Sequence, residues 1–165
     1  MINLEKNQRK CFADELYKLM SSDDRIMVLT ADLGYKMWDK IRSDFPERFI
    51  NVGAAEQLLI GVSIGMATEG KIAIAFSITP FLLYRPFEII RNYVNREKIP
   101  VKLIASGRDK DYIHDGFSHW AEDDKEILKV LNNIKAYWPD SVEEIPLLLK
   151  EMISDNNPWY INLTR

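Results

Sequence analysis

The 165-residue chain contains a single cysteine, Cys11, which excludes an internal disulfide and a thiolate metal cluster. It has no block of basic residues and a formal net charge of −3, which argues against nucleic acid as a partner. No segment reaches the ~18 consecutive apolar residues that a membrane span needs. The charged start, MINLEKNQRKCF, lacks the apolar core of a signal peptide. A reducing, cytoplasmic location is therefore predicted.

The motifs of several common enzyme classes are also missing. The chain has no GxxxxGK[ST], GxGxxG, HExxH, CxxC or GxSxG, so nucleotide binding through a P-loop or a Rossmann turn is unsupported. One short match is rejected. HDGF (114–117) followed by Asn132–Asn133 is faintly similar to a magnesium–diphosphate motif, GDG with a downstream asparagine pair. A histidine replaces the first glycine, and the separation is too short, so we predict no metal site in this chain.

Short apolar segments alternate with helical patterns along the chain. Strands are predicted at 25–31, 49–52, 71–77, 101–106, 134–138 and 159–165, and helices at 4–21, 54–68, 80–95, 122–132 and 141–153. This alternation predicts an α/β fold, with a doubly wound, mainly parallel sheet and helices on both faces. Without repeats or linkers, one domain over residues 1–165 is expected. Ligands of such folds bind at the carboxyl ends of the strands.

Glu56 is the first candidate functional residue, because it begins an almost wholly apolar stretch, AAEQLLIGVSIGMA (54–67). An isolated carboxylate in that position is costly to bury as an anion, so it either reaches solvent or holds a proton. A carboxyl group of the second kind in a cleft is a candidate for proton transfer. The alternative is an ordinary glutamate in the first turn of a helix, where it interacts favourably with the helix dipole.

Five segments, in this order, resemble the transketolase family and specifically its pyrimidine-binding (Pyr) domain. They are ADLG (31–34), FPERFINVGAAEQ (45–57), ITPFLLYRPFEIIR (78–91), DGFSH (115–119) and INLTR (161–165). The resemblance extends from about Arg9 to Arg165. It implies that the chain binds the pyrimidine half of thiamine diphosphate.

The resemblance implies cofactor contacts for three residues. Glu56 matches the catalytic glutamate that hydrogen-bonds N1′ of the aminopyrimidine and supports proton transfer within the cofactor. Phe81 matches the aromatic residue that stacks on the pyrimidine, and Asp32 matches an acidic residue near the thiazolium. The ordinary alternatives are core packing beside Phe87 for Phe81 and an Asx turn or helix cap for Asp32.

Substrate contacts are implied for four residues. His119 matches a catalytic, substrate-facing histidine, and Asp115 matches an aspartate that contacts a substrate hydroxyl. Both histidines of the chain, His114 and His119, fall in one polar loop after a strand, which independently favours function. Arg9 and Arg165 match two arginines that bind the phosphate of a sugar phosphate, for which a planar guanidinium is suited. The alternative for both arginines is a solvated surface position.

Some positions depart from the family pattern. Gly107 stands where many transketolases have another histidine, and Lys36 lies near the position of a phosphate-contacting serine. Trp120 follows His119 where glutamine is usual, and Ile78 replaces an aromatic residue. These changes surround the substrate, so cofactor use is better supported than the standard pentose phosphate substrate. The bulky Trp120 indicates an altered acceptor.

The chain lacks the second half that the resemblance implies, a diphosphate-binding (PP) domain with GDG and an asparagine for Mg²⁺. We therefore predict a split enzyme, in which a separate PP subunit holds Mg²⁺ and pairs with this chain as a heterotetramer. The segment 58–66 suits a subunit interface as well as a core. The predicted activity is ketol transfer from a ketose to an aldose, with sugar phosphates as substrates. The alternatives are a subunit of a thiamine-diphosphate-dependent decarboxylase or acyloin-forming enzyme, and a non-catalytic partner subunit.

Overall fold

The structure, a computed structural model, describes residues 7–165. Six strands form one sheet, in which every pairing is parallel. The strands are β1 (Ile26–Thr30), β2 (Phe49–Asn51), β3 (Ile72–Ile78), β4 (Lys102–Ser106), β5 (Lys135–Tyr137) and β6 (Trp159–Leu163), in the spatial order β2-β1-β3-β4-β6-β5. The predicted parallel sheet is confirmed, and each predicted strand is found within about two residues of its expected bounds.

Helices cover both faces of this sheet. They are α1 (Gln8–Met20), α2 (Asp39–Asp44), α3 (Glu56–Thr68), α4 (Thr79–Leu83), α5 (Phe87–Ile89, continued by a π-helix over Ile90–Arg96), α6 (Asp124–Val130) and α7 (Ile145–Ser154). Helices α1, α2 and α7 pack on one face, and α3 to α6 pack on the other. The doubly wound α/β architecture is therefore confirmed. Among residues 7–165, no helix is both long and apolar enough to cross a bilayer.

The burial of the strands follows from the two helical layers. Successive side chains of a strand point to opposite faces, so Ile26 and Val28 enter one core and Met27 and Leu29 enter the other. Every residue of β1, β4 and β6 is buried. A strand that is covered on both faces gives a continuous apolar run rather than an alternating one, which is why these strands are visible in the sequence.

Two helical segments differ from the sequence prediction. The helix expected over 80–95 is divided, because α4 ends at Leu83 and Pro86 cannot donate a backbone hydrogen bond within a continuous helix. The short helix α2 was not predicted. The helix predicted over 4–21 is α1, and the first residues of that prediction, 4–6, lie outside the described part of the chain.

The strand order places a crevice beside the loop that follows β1. The chain leaves β1 toward β2 on one side, and it leaves β3 toward β4 on the other side. Adjacent connections that diverge in this way open a crevice at the carboxyl ends of the two strands. The segments 31–37 and 79–85 begin at this point, so the fold brings the predicted cofactor and substrate residues to the same edge of the sheet.

At the opposite end of the strands, their amino ends, β4 begins with a buried charged residue, Lys102. Its Nζ donates hydrogen bonds to the carbonyl oxygens of Asp155 at 2.7 Å and Asn157 at 2.6 Å. Desolvation disfavours the ammonium form and lowers the pKa of Lys102 from 10.5 to about 8. Unfolding therefore takes up a proton at Lys102 between these two pH values.

Because the unfolded chain binds the proton more tightly there, the free energy of unfolding should rise as the pH rises from about 8 to about 10.5. Between about pH 7.5 and about pH 9.5, we expect the wild type to gain about 1–2 kcal/mol relative to a Lys102→Met variant. Urea unfolding of both proteins measures the difference. Replacement of the exposed Lys71 by methionine should leave the pH dependence unchanged. If the free energy of unfolding depended on pH identically in wild type and Lys102→Met, the lowered pKa of Lys102 would be disproved.

Candidate active site

Glu56 is the first residue of α3, and only 5% of its surface is exposed. Its Oε1 accepts a hydrogen bond from Nη1 of Arg85 at 2.9 Å, which forms an ion pair. Of the two alternatives given for this carboxyl group, exposure to solvent is therefore wrong, and its role in proton transfer stays a prediction. Its place in the first turn is also favourable for an anion.

Arg85 contacts Phe81 as well as Glu56. Cζ of Arg85 lies 3.9 Å from the centre of the Phe81 ring, so the guanidinium stacks on the aromatic face. The two residues are four positions apart, the spacing that brings side chains together on one side of a helical turn. Phe81 was predicted from the sequence and Arg85 was not, because the ion pair of Arg85 with Glu56 spans 29 positions.

His119 also contacts the ring of Phe81. The two ring centres are 4.8 Å apart in an edge-to-face arrangement, and Oγ of Ser118 is 3.0 Å from Nδ1 of His119. The ring of Tyr112 lies 6.1 Å from that of His119. These contacts place the predicted catalytic histidine beside the predicted cofactor aromatic residue, although the two are far apart in the sequence.

The loop of His119 is attached to the end of the chain through Arg165. The backbone N–H of Arg165 donates to Oδ2 of Asp111 at 3.0 Å, and its Nη1 lies 3.8 Å from Oδ2 of Asp115. Its guanidinium also lies 4.5 Å from the centre of the Tyr112 ring. Arg165 and Asp115, which the sequence analysis assigned to the substrate, are therefore neighbours. Contacts run without a break from Glu56 through Arg85, Phe81, His119 and Tyr112 to Arg165 and Asp115.

Gly107 directly follows β4, and Tyr112 packs so closely against it that only glycine fits there. Its φ is +92°, and a Cβ added to it would lie 2.3 Å from Cε2 of Tyr112. Any side chain at this position would have to displace the tyrosine ring, and the backbone conformation itself favours glycine. The absence of a histidine at Gly107 is thus coupled to the presence of Tyr112, which the sequence analysis did not identify.

Arg9 and Lys36 line a cleft of about 680 Å³ at the crevice between β1 and β3. Its walls include Tyr35 and Tyr112, and the basic residues Lys10 and Lys40 line it as well. Arg9 is partly buried and Lys36 is exposed. The cleft meets the site at Tyr112. Two carboxylates, Asp14 and Asp39, also line the cleft, and Asp14 pairs with Lys10. The cations outnumber the carboxylates, which favours anions in the cleft.

Asp32 lies at the end of β1, in a neighbouring cleft of about 210 Å³. Its φ is +56°, a conformation that aspartate tolerates better than most residues. Its backbone N–H donates to Oδ1 of Asn51 at 2.9 Å, and Nδ2 of Asn51 is 3.3 Å from Oδ1 of Asp32. The same Oδ1 of Asn51 accepts from the N–H of Gly53. The side chain of Asp32 thus bonds Asn51 and links the end of β1 to the end of β2, and its place near the thiazolium stays a prediction.

Residues 5–165 match the family model of the transketolase pyrimidine-binding domain. The chain belongs to this family. It is 34% identical over 161 residues to a protein of Methanocaldococcus jannaschii with the provisional name of a transketolase C-terminal section, covering 97% of this chain and 51% of the relative. It is 32% identical over 120 residues to one of the subunits of the apulose-4-phosphate transketolase of Actinobacillus succinogenes, covering 73% of this chain and 39% of the relative.

A solved structure described as a split gene transketolase, an inactive beta4 tetramer, is also similar. Its TM-score is 0.86 at 34% identity, and the match covers 97% of this chain and 51% of the solved chain. This chain therefore spans about half the length of the relatives that it matches, or less. The resemblance inferred from five short segments is confirmed as family membership.

A buried polar network supports the site of this pyrimidine-binding domain. Oδ2 of Asp124, in α6, accepts hydrogen bonds from Nε1 of Trp138 at 2.8 Å, the hydroxyl of Tyr160 at 2.9 Å and Nδ2 of Asn162 at 2.7 Å. Burial and the neighbouring carboxylate raise the pKa of Tyr160, so its hydroxyl remains a donor. The hydroxyl of Thr79 donates to the carbonyl oxygen of Gly107 at 2.7 Å. The start of α4 is thereby fixed to the end of β4.

The pyrimidine-binding domain offers no cluster of metal ligands in its described part. Within residues 7–165, no group of three or more histidine, cysteine, aspartate or glutamate side chains is arranged to hold a metal ion. His114 is exposed at the surface of the loop and lies in a short 3-10 turn, Ile113–Asp115.

Proposed function

We propose that this chain, as a single domain over residues 1–165, is the Pyr subunit of a split, thiamine-diphosphate-dependent, transketolase-like enzyme. It transfers a two-carbon ketol unit from a ketose to an aldose. A separate PP subunit holds Mg²⁺ and the diphosphate, and the two subunits form a heterotetramer with the active sites between them. The half-length match and the names of the relatives, which describe a section, a subunit and a split gene, support this division.

The observation that carries the proposal is that one planar group, the guanidinium of Arg85, contacts Glu56 and Phe81 together. It bonds Oε1 of Glu56 at 2.9 Å and lies 3.9 Å from the ring centre of Phe81. A carboxylate acceptor and an aromatic face that one planar donor group reaches at once suit the aminopyrimidine of thiamine diphosphate. When bound, thiamine diphosphate supplies the carbanion chemistry.

The residues of this chain would exchange a proton with the cofactor, orient its ring and bind the substrate. Oε1 of Glu56 would hold and return a proton at N1′ of the pyrimidine, and burial removes competing water from that hydrogen bond. Phe81 would orient the ring by stacking. His119, held by Ser118 and Phe81, would donate an N–H to the developing oxyanion of the substrate.

The substrate is proposed to be a sugar phosphate. Arg9 and Lys36 line the cationic cleft that opens at Tyr112, and Arg165 lies against the same tyrosine. Guanidinium groups bind phosphate oxygens in pairs, which suits Arg9 and Arg165 to this role. Asp115, 3.8 Å from Arg165, is proposed to accept a hydrogen bond from a substrate hydroxyl.

The test is reconstitution. The chain and a separately expressed PP subunit, recognised by GDG with a downstream asparagine, are assayed alone and mixed, with thiamine diphosphate, Mg²⁺, a ketose phosphate and an aldose phosphate. Ketol transfer is expected only in the mixture. Turnover by this chain alone would overturn the split-enzyme proposal. Decarboxylation of a 2-oxo acid without ketol transfer would instead support the decarboxylase alternative, and cofactor binding without any turnover would support the non-catalytic alternative.

A further inference from the structure

Arg85 makes the same two contacts that the proposed function assigns to the pyrimidine of thiamine diphosphate. Its Nη1 bonds Glu56 Oε1, and its guanidinium lies over the Phe81 ring. A guanidinium is planar, cationic and rich in N–H donors, so it can lie on an aromatic face and bond a carboxylate at once. A guanidinium and a pyrimidine that make the same two contacts exclude each other.

We propose that Arg85 is an internal competitor of the cofactor. Its guanidinium occupies the pyrimidine position in the free subunit and leaves it when thiamine diphosphate enters. This inference rests on the proposed function, because it needs Glu56 and Phe81 to bind the pyrimidine.

The burial of the two partners makes such an exchange feasible. The side chain of Glu56 is 6% exposed, whereas that of Arg85 is 52% exposed. Arg85 can therefore rotate into solvent without breaking core packing, while Glu56 stays in place to receive the incoming ring. As the guanidinium returns to water, the incoming pyrimidine would replace its hydrogen bond to Glu56.

The arrangement has a benefit for the free subunit. Without a cofactor, a buried carboxylate at Glu56 would have no opposite charge, and an unpaired buried charge strongly destabilises a fold. Arg85 stabilises the empty site, and it does so at the expense of cofactor affinity, because only the fraction of molecules with Arg85 displaced can bind. Removal of Arg85 should thus change stability and cofactor affinity in opposite directions.

This opposition provides the test. Arg85→Met keeps the length of the side chain and removes the cation and the planar group. In the complex of this chain with its PP subunit and Mg²⁺, calorimetric titration should show thiamine diphosphate binding about threefold to tenfold more tightly to the variant than to the wild type. In urea, the isolated Arg85→Met subunit should unfold at a lower midpoint than the wild type.

Two further variants separate the effect of the charge of Arg85 from that of its planar group and control for the loss of an exposed arginine. Arg85→Lys keeps the charge without the planar stacking group, and it should lie between the wild type and Arg85→Met in cofactor affinity. Arg91→Met removes another exposed arginine, whose side chain bonds Asn92, and it should change neither quantity.

The outcomes distinguish the inference from the proposed function. Weaker or unchanged cofactor binding by Arg85→Met, with tight binding by the wild type, would overturn the competitor role alone and make Arg85 a permanent support of Glu56. A wild-type complex that binds no thiamine diphosphate would overturn the proposed function and the inference together.

Discussion

Replacement of Glu56 by glutamine should lower the ketol transfer rate of the assembled enzyme about 10²–10⁴-fold, the usual contribution of a positioned proton-transfer group. Glutamine keeps the size and a carbonyl acceptor near the side chain of Arg85. It cannot exchange a proton with N1′ at neutral pH. The loss should appear in kcat, measured with thiamine diphosphate, Mg²⁺ and both sugar phosphates at saturating concentrations.

The design needs a matched control and a check on saturation. Glu69→Gln alters the exposed residue at the other end of α3, and it should leave kcat within about twofold of the wild type. Calorimetric titration of the cofactor shows whether Glu56→Gln is loaded in the assay. A fully loaded Glu56→Gln complex with wild-type kcat would exclude Glu56 from proton transfer and restore its alternative, an ordinary first-turn glutamate.

The second large effect is expected on stability, at Asp124. Asp124→Ala would remove the acceptor shared by Trp138, Tyr160 and Asn162, and it would leave two buried donors and the partly buried Trp138 without their partner. A buried orphaned donor costs about 1–3 kcal/mol, so the two buried donors predict a fall of about 2–6 kcal/mol in the free energy of unfolding. Urea unfolding followed by tryptophan fluorescence measures this loss.

Two variants calibrate the measurement. Asp124→Asn keeps one acceptor oxygen, and it should lose less stability than Asp124→Ala. Glu126→Ala alters an exposed residue of the same helix that pairs with Lys129, and it should stay within about 0.5 kcal/mol of the wild type. A loss below about 1 kcal/mol for Asp124→Ala would mean that water replaces the carboxylate and that the network contributes little.

The strands were predictable from sequence for a physical reason. A parallel strand covered on both faces is almost wholly apolar, as IMVLT in β1 and KLIAS in β4 show, apart from Lys102 and the last residues Thr30 and Ser106. The helix α2, DKIRSD, has one buried apolar residue, Ile41, and no periodic pattern from which it could be recognised. Such short elements are set by tertiary packing rather than by local preference.

The site was predictable only where its residues belong to recognisable segments. Glu56, Phe81, Asp115, His119 and Arg165 were found in this way, and their roles remain predictions. Arg85 and Asp124 were missed, because their importance depends on partners that are remote in the sequence. Asp124 bonds residues 36 and 38 positions away, and the Arg85 ion pair spans 29 positions. A linear pattern does not contain such pairings.

The position of β6 has a consequence for how the chain is made. This last strand lies between β4 and β5 rather than at an edge of the sheet. During synthesis, β5 has no neighbour in the sheet until residues 159–163 leave the ribosome, and β4 keeps one side unpaired. Non-local parallel pairing forms slowly, and open strand edges invite misassociation. The nascent chain is therefore exposed to aggregation until β6 joins the sheet.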